Sequence, residues 1–326
     1  MDRFESMNVL LAVADAGNLS AAGRRLGMPL PTVSRKVSEL ETHLKVRLVT
    51  RSTSGSALTE AGRSYVGACR RILDDISEAE RVATGEYNEP RGELVLTAPV
   101  VFGRTHVLPI VGEFLKAYPK VSVRLVLGDR LLNLTEDHVD LALRIGALPD
   151  SGLVSTGLGK IRRVVCASPA YLADYGVPKS PQELGSHQCV SFEHLTSAHE
   201  WRFQIEGAEV AVPVHARLVV NTAEAAIDAA IAGTGITGVF SYQVEPALRA
   251  GSLRVLLRRF EPDPIPVSFL YPGRGRLPLK LRALLDFAAP RLRERLQKAD
   301  AALTERNEPT PLKPMPVARR STRSRS

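Results

Sequence analysis

The stretch "LGMPLPTVSRKVSELETHL", residues 26–44, combines two prolines with a regular apolar pattern and several basic residues. Its later apolar side chains recur at spacings of four, three and four: Val33, Val37, Leu40 and Leu44. This spacing places them on one face of a helix. Pro29 and Pro31 suit the start of that helix, because proline is tolerated in a first turn, where its missing N–H group would be unpaired anyway. The stretch therefore predicts an amphipathic helix with a polar, basic outer face.

Two further helices are predicted upstream. The apolar face of the first comprises Phe4, Met7, Leu11 and Ala14. Gly17 and Asn18 interrupt it, and Asn18 or Ser20 then caps a short helix, "SAAGRRL", that stops at Gly27. A helix, a short helix, a tight turn and a helix with a basic outer face form a helix-turn-helix. In that motif the last helix enters the major groove of DNA.

The sequence after this motif adds a predicted hairpin and a local positive charge. "RLVTRSTSGSALTEAG", residues 47–62, has two short apolar runs around a Ser/Thr/Gly turn, which indicates a β-hairpin wing. Residues 24–51 contain seven basic and two acidic side chains. Such a local excess is expected of a surface that contacts DNA phosphates.

The segment "AAGRRLGMPLPTVSRKVSELETHLKVRLVTRS", followed by "LTEAG", resembles the winged helix-turn-helix of the LysR-type transcriptional regulators. The alanine pair, the Leu-Gly turn, Pro-x-Val-Ser-Arg, Leu-Glu, Leu-x-x-Arg and Leu-Thr-x-x-Gly occur in order. Two departures stand out. Pro29 and Leu30 replace a usual Ser-Gln pair, which removes a polar side chain able to reach a base, and Val49 replaces a usual Phe.

The predicted DNA-binding residues follow from the motif and the charge. Phosphate contacts are expected from the basic side chains, and base contacts from Thr32, Ser34 and Arg35. The full predicted set is Ser20, Arg24, Arg25, Pro31, Thr32, Ser34, Arg35, Lys36, Ser38, Lys45, Arg47 and Arg51. A dimer would set the spacing of two half-sites, so the expected operator in double-stranded DNA is an interrupted dyad.

A long helix is predicted after the wing, from a cap at Thr59 to about Ala83. It carries a coiled-coil-type seam: Tyr65, Cys69, Ile72, Ile76, Ala79 and Ala83. The sequence offers no adjacent helix to cover this seam, so we expect a second copy of the chain to do so. The family resemblance also implies that this helix is a dimerisation linker. The expected divisions are a DNA-binding domain at 1–60 and a linker helix at 61–88.

From Glu93 onward, short strands alternate with helices. "ELVLTAP" and "VSVRLVLG" flank the helix-like "THVLPIVGEFLKAY", which is a βαβ pattern. The order resembles the LysR effector domain, which implies two α/β lobes of the periplasmic-binding-protein type II fold. We expect lobe 1 at about 89–167 and 265–290, and lobe 2 at about 168–264. A basic, disordered tail is expected at 291–326, which carries 10 basic and 4 acidic residues.

Composition sets the broad class. The chain has 326 residues, 44% hydrophobic and 24% charged, and a formal net charge of +8. No apolar run approaches the ~20 residues that span a bilayer, and no secretory leader is evident. The three cysteines are far apart and suit a reducing compartment. We therefore expect a cytoplasmic protein that does not engage a membrane.

No grouping of side chains predicts catalysis, a metal site or a cofactor. In open α/β sheets, ligands bind where strands end and helices begin, so the inter-lobe cleft is the expected site. The predicted effector-binding residues are Thr97, Pro99, Val100, Phe102, Arg144, Asn221 and Thr222. Helix N-termini and the Arg144 guanidinium favour a carboxylate, and the apolar residues favour an apolar or aromatic remainder.

The sequence therefore predicts a DNA-binding regulator without enzymatic activity, controlled by a small effector and assembled as a dimer or tetramer. RNA polymerase is a further partner open to such a regulator. The alternative is a solute-binding protein or an enzyme of the same two-lobed fold that acts on a small carboxylated ligand.

Overall fold

The structure is a computed structural model that describes residues 2–52, 55–84, 89–129, 134, 137, 139–148, 152–192, 199–273 and 277–305. Its N-terminal domain consists of α1 (Arg3–Ala16), α2 (Leu19–Leu26), α3 (Leu30–Leu44), β1 (Val49–Ser52) and β2 (Gly55–Leu58). The two strands pair antiparallel as a hairpin. Asn18 Oδ1 accepts a hydrogen bond from Ala21 N at 2.7 Å, so Asn18 and not Ser20 caps α2. The predicted helix-turn-helix and wing are both present.

Helix α4 (Glu60–Thr84) follows the wing. The Thr59 hydroxyl caps it by accepting from Gly62 N at 2.9 Å, as predicted. The first part of its apolar seam packs on its own domain, because Cys69 is fully buried and Tyr65 contacts the N-terminal core. The expectation that the whole seam awaits a partner was therefore wrong for this part. Further along, Ile72 remains 41% exposed.

The C-terminal part contains two five-stranded sheets and a separate hairpin. Its strands are β3 (Gly92–Ala98), β4 (Val121–Leu127), β5 (Leu141–Ile145), β6 (Leu153–Ile161), β7 (Arg163–Ala167), β8 (Cys189–Phe192), β9 (Glu200–Ile205), β10 (Ala208–Pro213), β11 (Ala216–Val220), β12 (Ile236–Phe240), β13 (Arg254–Leu256) and β14 (Ile265–Pro272). Lobe 1 has the strand order β4-β3-β5-β14-β6, and lobe 2 has β11-β8-β12-β7-β13. Strands β9 and β10 form the hairpin, which covers one face of the lobe 2 sheet.

Helices cover the sheets and join the two lobes. They are α5 (Val100–Phe102), a π-helical turn (Gly103–Val107), α6 (Leu108–Ala117), α7 (Pro169–Tyr175), a 3₁₀ helix (Pro181–Ser186), α8 (Ala223–Ile231), α9 (Ser241–Arg249), a second 3₁₀ helix (Arg258–Phe260) and α10 (Leu279–Glu305). One apolar core extends from the α6 and α10 face of lobe 1 to the α8 and α9 side of lobe 2. Side chains of both lobes are therefore buried against each other.

The chain crosses between lobes earlier than expected. Strand β7 pairs antiparallel with β12 and β13, so residues 163–167 belong to lobe 2 and not to lobe 1. The crossing is at Arg162, whose guanidinium Nε lies 2.9 Å from a carboxylate oxygen of Glu261 on the returning segment. Both side chains are largely buried. The ion pair thus ties together the two segments that connect the lobes.

The prediction that a disordered tail begins at residue 291 was wrong. Helix α10 continues through Pro290 to Glu305. Leu292 and Leu296 are buried, and a Cβ on Gly159 would lie only 3.1 Å from Leu296, so this part of the helix packs closely on β6. Arg293 also donates to the Gly157 carbonyl from Nε (3.1 Å) and from its terminal nitrogen (2.9 Å). Tertiary packing thus extends the helix past a residue that lacks an N–H donor. Residues 306–326 of the expected tail lie outside the described residues.

Candidate DNA-binding surface and effector site

Helix α3 separates an apolar face from a polar one. Val33, Val37 and Leu40 are each at most 1% exposed, in the core of the N-terminal domain. The opposite side presents five polar side chains together at the surface: Arg35, Ser38, Glu39, Thr42 and His43. Arg35 is 69% exposed in its side chain, with its guanidinium 3.9 Å from Glu39. This is the arrangement that a helix needs to lie in the major groove.

The predicted phosphate-contacting residues differ in their availability. Arg24, Lys45 and Arg47 are exposed, and Lys45 ends α3 with a positive φ of 55°. Arg25 is exposed but lies 3.1 Å from Asp15. The Arg51 side chain lies outside the described residues, although its backbone pairs in the wing. Of the remaining predicted residues, Ser20, Pro31 and Ser38 are exposed, and Thr32 and Ser34 are half-buried.

Lys36 has a different place from the one predicted. Its side chain is only 13% exposed, and its ammonium group forms an ion pair with Glu5 on α1. An ammonium group held in this way is withdrawn from the exposed face of α3. The structure therefore gives Lys36 a role in joining α3 to α1, in place of the expected phosphate contact.

Sequence reasoning used Glu41 only as part of a motif, and the structure shows what its side chain does. Glu41 is buried, and its Oε1 accepts hydrogen bonds from the backbone N–H groups of Leu48 (2.8 Å) and Val49 (3.0 Å). The carboxylate thereby fixes the start of the wing against the end of α3. A buried carboxylate needs such donors, and the Leu-Glu pair in the sequence was the available signal.

In the effector domain, two predicted residues lie together on one face of the lobe 1 sheet. Thr97 of β3 is paired with Ala142 of β5, and Arg144 stands two residues further along the same strand. Ser268 of β14 is opposite Arg144. All three polar residues are buried, and burial lowers the pKa of Arg144. Thr97 is 2% exposed, and its buried hydroxyl has no hydrogen-bond partner among the described residues. These polar groups at strand ends can bind a polar or anionic ligand group.

The two helix starts predicted to bind an anion already have carboxylates beside them. Pro99 precedes α5, and the Val100 N–H group donates to Asp129 Oδ1 at 3.1 Å. Asn221 and Thr222 are exposed before α8; the Thr222 hydroxyl caps that helix by accepting from Ala225 N at 3.3 Å. Glu224 in its first turn lies 3.4 Å from Arg104 of lobe 1. Asp129, Glu224 and Arg104 were not predicted from the sequence.

Phe102 was predicted to line the cleft, but the structure buries it completely between the lobes. Its ring centroid lies 4.7 Å from that of His106 and 5.1 Å from that of Tyr242 in lobe 2, the latter edge-on. Burial lowers the pKa of His106, with Arg295 adding to the effect. Burial raises the pKa of Tyr242, and so do the negative charges of Asp129 and Glu224. Phe102 thus belongs to the lobe–lobe contact and not to open cleft surface.

Among the described residues, no helix has the length and apolar character needed to cross a membrane. Those residues also contain no group of three or more His, Cys, Asp or Glu side chains placed to hold a metal ion. Cys166 and Cys189 are buried, and burial raises the pKa of each thiol to about 12.

Known proteins resemble this chain over both parts. Residues 4–63 match the bacterial regulatory helix-turn-helix protein, lysR family, and residues 87–293 match the LysR substrate binding domain. An HTH-type transcriptional regulator of Xanthomonas campestris pv. campestris is 36% identical over 87% of this chain and 84% of its own. The HTH-type transcriptional activator AaeR of Escherichia coli is 34% identical over 88% and 93%. The solved structure of CrgA from Neisseria meningitidis, a LysR-type transcriptional regulator, is 31% identical over 88% and 98%, with a TM-score of 0.57.

Proposed function

Because this chain belongs to the LysR family of bacterial transcriptional regulators, we propose that the outward face of α3 reads an interrupted-dyad operator under the control of a carboxylated effector. The family assignment makes the chain a DNA-binding transcriptional regulator with an effector-binding domain. The relatives that support this are named as regulators and not as enzymes.

The observation that carries the DNA-binding proposal is the division of α3 into a buried apolar face and an exposed polar face. Arg35 lies on the exposed face, and the half-buried Thr32 and Ser34 lie nearer the start of the helix. Arg24, Lys45 and Arg47 flank the helix with charges that can contact phosphates on either side. Base contacts then come from the helix, and phosphate contacts fix its register.

We assign dimerisation to the exposed second part of the α4 seam. Ile72 is exposed and Ile76 is half-buried there, whereas the preceding part packs on the chain's own domain. Two seams in contact place two α3 helices at a fixed separation, which gives the two half-sites of a dyad. Assembly into tetramers and contact with RNA polymerase are the further interactions that we infer for a regulator of this kind.

The effector proposal rests on Thr97 and Arg144, a buried hydroxyl and a buried guanidinium on one sheet face. A guanidinium binds a carboxylate with two parallel hydrogen bonds, and an acceptor on the ligand would pair with the Thr97 hydroxyl. An effector seated there contacts lobe 1 close to the segment that holds Phe102 against Tyr242 of lobe 2. Its binding energy can therefore change the orientation of one lobe relative to the other.

The test of this function begins with the full-length purified protein and fragmented genomic DNA. Recovered fragments should share an interrupted dyad, and footprinting should protect both half-sites on one face of the duplex. Aromatic and aliphatic monocarboxylates should then be screened for a change in operator affinity. Recovery of sequences without a shared dyad would contradict the operator proposal, and a response only to uncharged or cationic compounds would contradict the carboxylate proposal.

A further inference from the structure

Leu30 is the first residue of α3 and a large apolar side chain left 46% exposed. A single exposed apolar side chain is ordinary on a protein surface. Its position is informative here, since the N-terminal residues of the last helix of a helix-turn-helix contact base edges. We propose that Leu30 is a specificity-determining residue that reads the C5-methyl group of a thymine in the operator half-site. The proposal rests on the assignment of α3 as the DNA-reading helix.

The backbone around Leu30 is held in place. Met28 N donates to the carbonyl of Gly23 in α2 at 2.9 Å, and a Cβ on Gly23 would lie 2.8 Å from the Met28 carbonyl oxygen. The turn between α2 and α3 therefore packs against α2 at a position where only glycine fits. Pro29 and Pro31 restrict φ on both sides of Leu30. Little backbone entropy is therefore lost when this helix start enters a groove.

The chemistry of this helix start selects one base. The side chains of Pro29, Leu30 and Pro31 contain no hydrogen-bond donor or acceptor. In the major groove, adenine, guanine and cytosine present polar edges that an aliphatic side chain would desolvate without replacing their hydrogen bonds to water. Thymine alone adds a methyl group, which an aliphatic side chain can cover favourably. The residues predicted to read bases by hydrogen bonds, Thr32, Ser34 and Arg35, follow on the same helix.

The experiment uses the full chain and the operator recovered from genomic DNA. Each thymine of a half-site is replaced in turn by deoxyuridine, which lacks only the methyl group, and binding is measured by fluorescence anisotropy at one salt concentration. For the unaltered protein, replacement of one or two thymines should weaken binding about fourfold, which corresponds to about 0.8 kcal/mol. Leu30→Ala should bind the thymine operator about fourfold more weakly and be insensitive to the same replacement.

Val46→Ala is the matched control. Val46 is another exposed apolar side chain, 41% exposed, just beyond the opposite end of α3. This variant should retain the full sensitivity to deoxyuridine. Leu30→Met, which keeps an apolar side chain, should retain it as well, and thermal melting should show that each variant is folded.

Two results would overturn the inference while leaving the DNA-reading role of α3 intact. One is operator binding by the unaltered protein that no deoxyuridine replacement weakens. The other is an equal loss for the unaltered protein and Leu30→Ala at every thymine. Absence of any operator binding by the unaltered protein would overturn the proposed function and this inference with it.

Discussion

The ammonium group of Lys280 lies 2.7 Å from the carboxylate of Asp74, although the two residues are 206 positions apart in the chain. Asp74 is on α4, and Lys280 is in the first turn of α10. Gly92 at the start of β3 fits against both, since a Cβ there would lie 3.2 Å from Asp74 Oδ2 and 3.4 Å from Lys280 Nζ. The ion pair therefore connects the linker helix directly to lobe 1 of the effector domain.

Asp74→Asn should lower the free energy of unfolding by about 1 kcal/mol, because Lys280 is 86% buried while Asp74 is partly solvated and screened. Denaturant titration of the full chain measures this. The charge swap of Asp74→Lys with Lys280→Asp should restore most of the loss. Glu294→Gln, in the exposed Glu294–Lys298 pair of α10, is the control and should leave stability essentially unchanged, because solvent screens this pair. Equal effects at both pairs would contradict a special role for the Asp74–Lys280 pair in joining α4 to lobe 1.

Glu41→Ala should destabilise the N-terminal domain by about 2–4 kcal/mol, because the buried N–H groups of Leu48 and Val49 would lose their acceptor. Operator affinity should fall as well, since the wing is no longer fixed to α3. Glu41→Gln keeps an acceptor oxygen of the same reach and should cost less than half as much. Calorimetry and anisotropy measurements on the same samples check both effects. A stable Glu41→Ala variant with normal affinity would show that the wing is positioned by other contacts.

Arg35→Ala and Lys36→Ala, although adjacent, should differ in their effects. Arg35→Ala should cost about 1–3 kcal/mol at the operator and relax the preference at one base position. Lys36→Ala should lower stability and leave the salt dependence of binding unchanged, because Lys36 is paired with Glu5. Arg24→Ala is the phosphate control, because Arg24 is exposed: it should weaken binding to all sequences and reduce the salt slope by about one unit. Equal losses on operator and random DNA for Arg35→Ala would remove its assigned base contact.

The double variant Ile72→Asp, Ile76→Asp should dissociate the dimer. Unpaired charges would be buried between two linker helices at a cost of about 3–5 kcal/mol. Sedimentation at micromolar concentration should show a monomer. Ser77→Asp adds a charge at an exposed position of the same helix outside the seam and should leave the dimer intact. An unchanged dimer for the double variant would place the interface elsewhere.

Arg144→Lys should keep the positive charge of the effector site but lose its two-pronged carboxylate contact. A carboxylate that binds the unaltered protein should raise the stability of the effector domain by about 2.7 kcal/mol at 100 times its Kd, measurable as a melting shift. The shift should be much reduced in Arg144→Lys at the same ligand concentration, when each protein is compared with its own melting temperature without ligand. An undiminished shift would show that the carboxylate binds elsewhere.

Local periodicity and capping residues were enough to predict the helices α2, α3 and α4. The four-three-four spacing of Val33, Val37, Leu40 and Leu44 and the prolines before it defined α3, and hydroxyl or amide caps defined the starts of α2 and α4. Such signals are readable because each depends on residues three or four positions apart. The alternation of strands and helices likewise predicted an α/β domain, and the resemblance to the LysR effector domain implied its two lobes. For the proposed effector site, the sequence predicted Thr97 and Arg144, which the sheet register places on one face of the lobe 1 sheet.

Only the tertiary structure decided the contacts between distant segments. Lys36 has the sequence context of a DNA-contacting cation, but Glu5 lies beside it once α1 packs on α3. Strand β7 was predicted to belong to lobe 1, but its hydrogen bonds are to β12 and β13 of lobe 2. Helix α10 continues beyond Pro290 because Leu292 and Leu296 are buried against lobe 1. Local sequence sets which backbone conformations are favourable. The partner of a charge or an apolar side chain is set by burial against residues far away in the chain, and that free energy exists only in the folded protein.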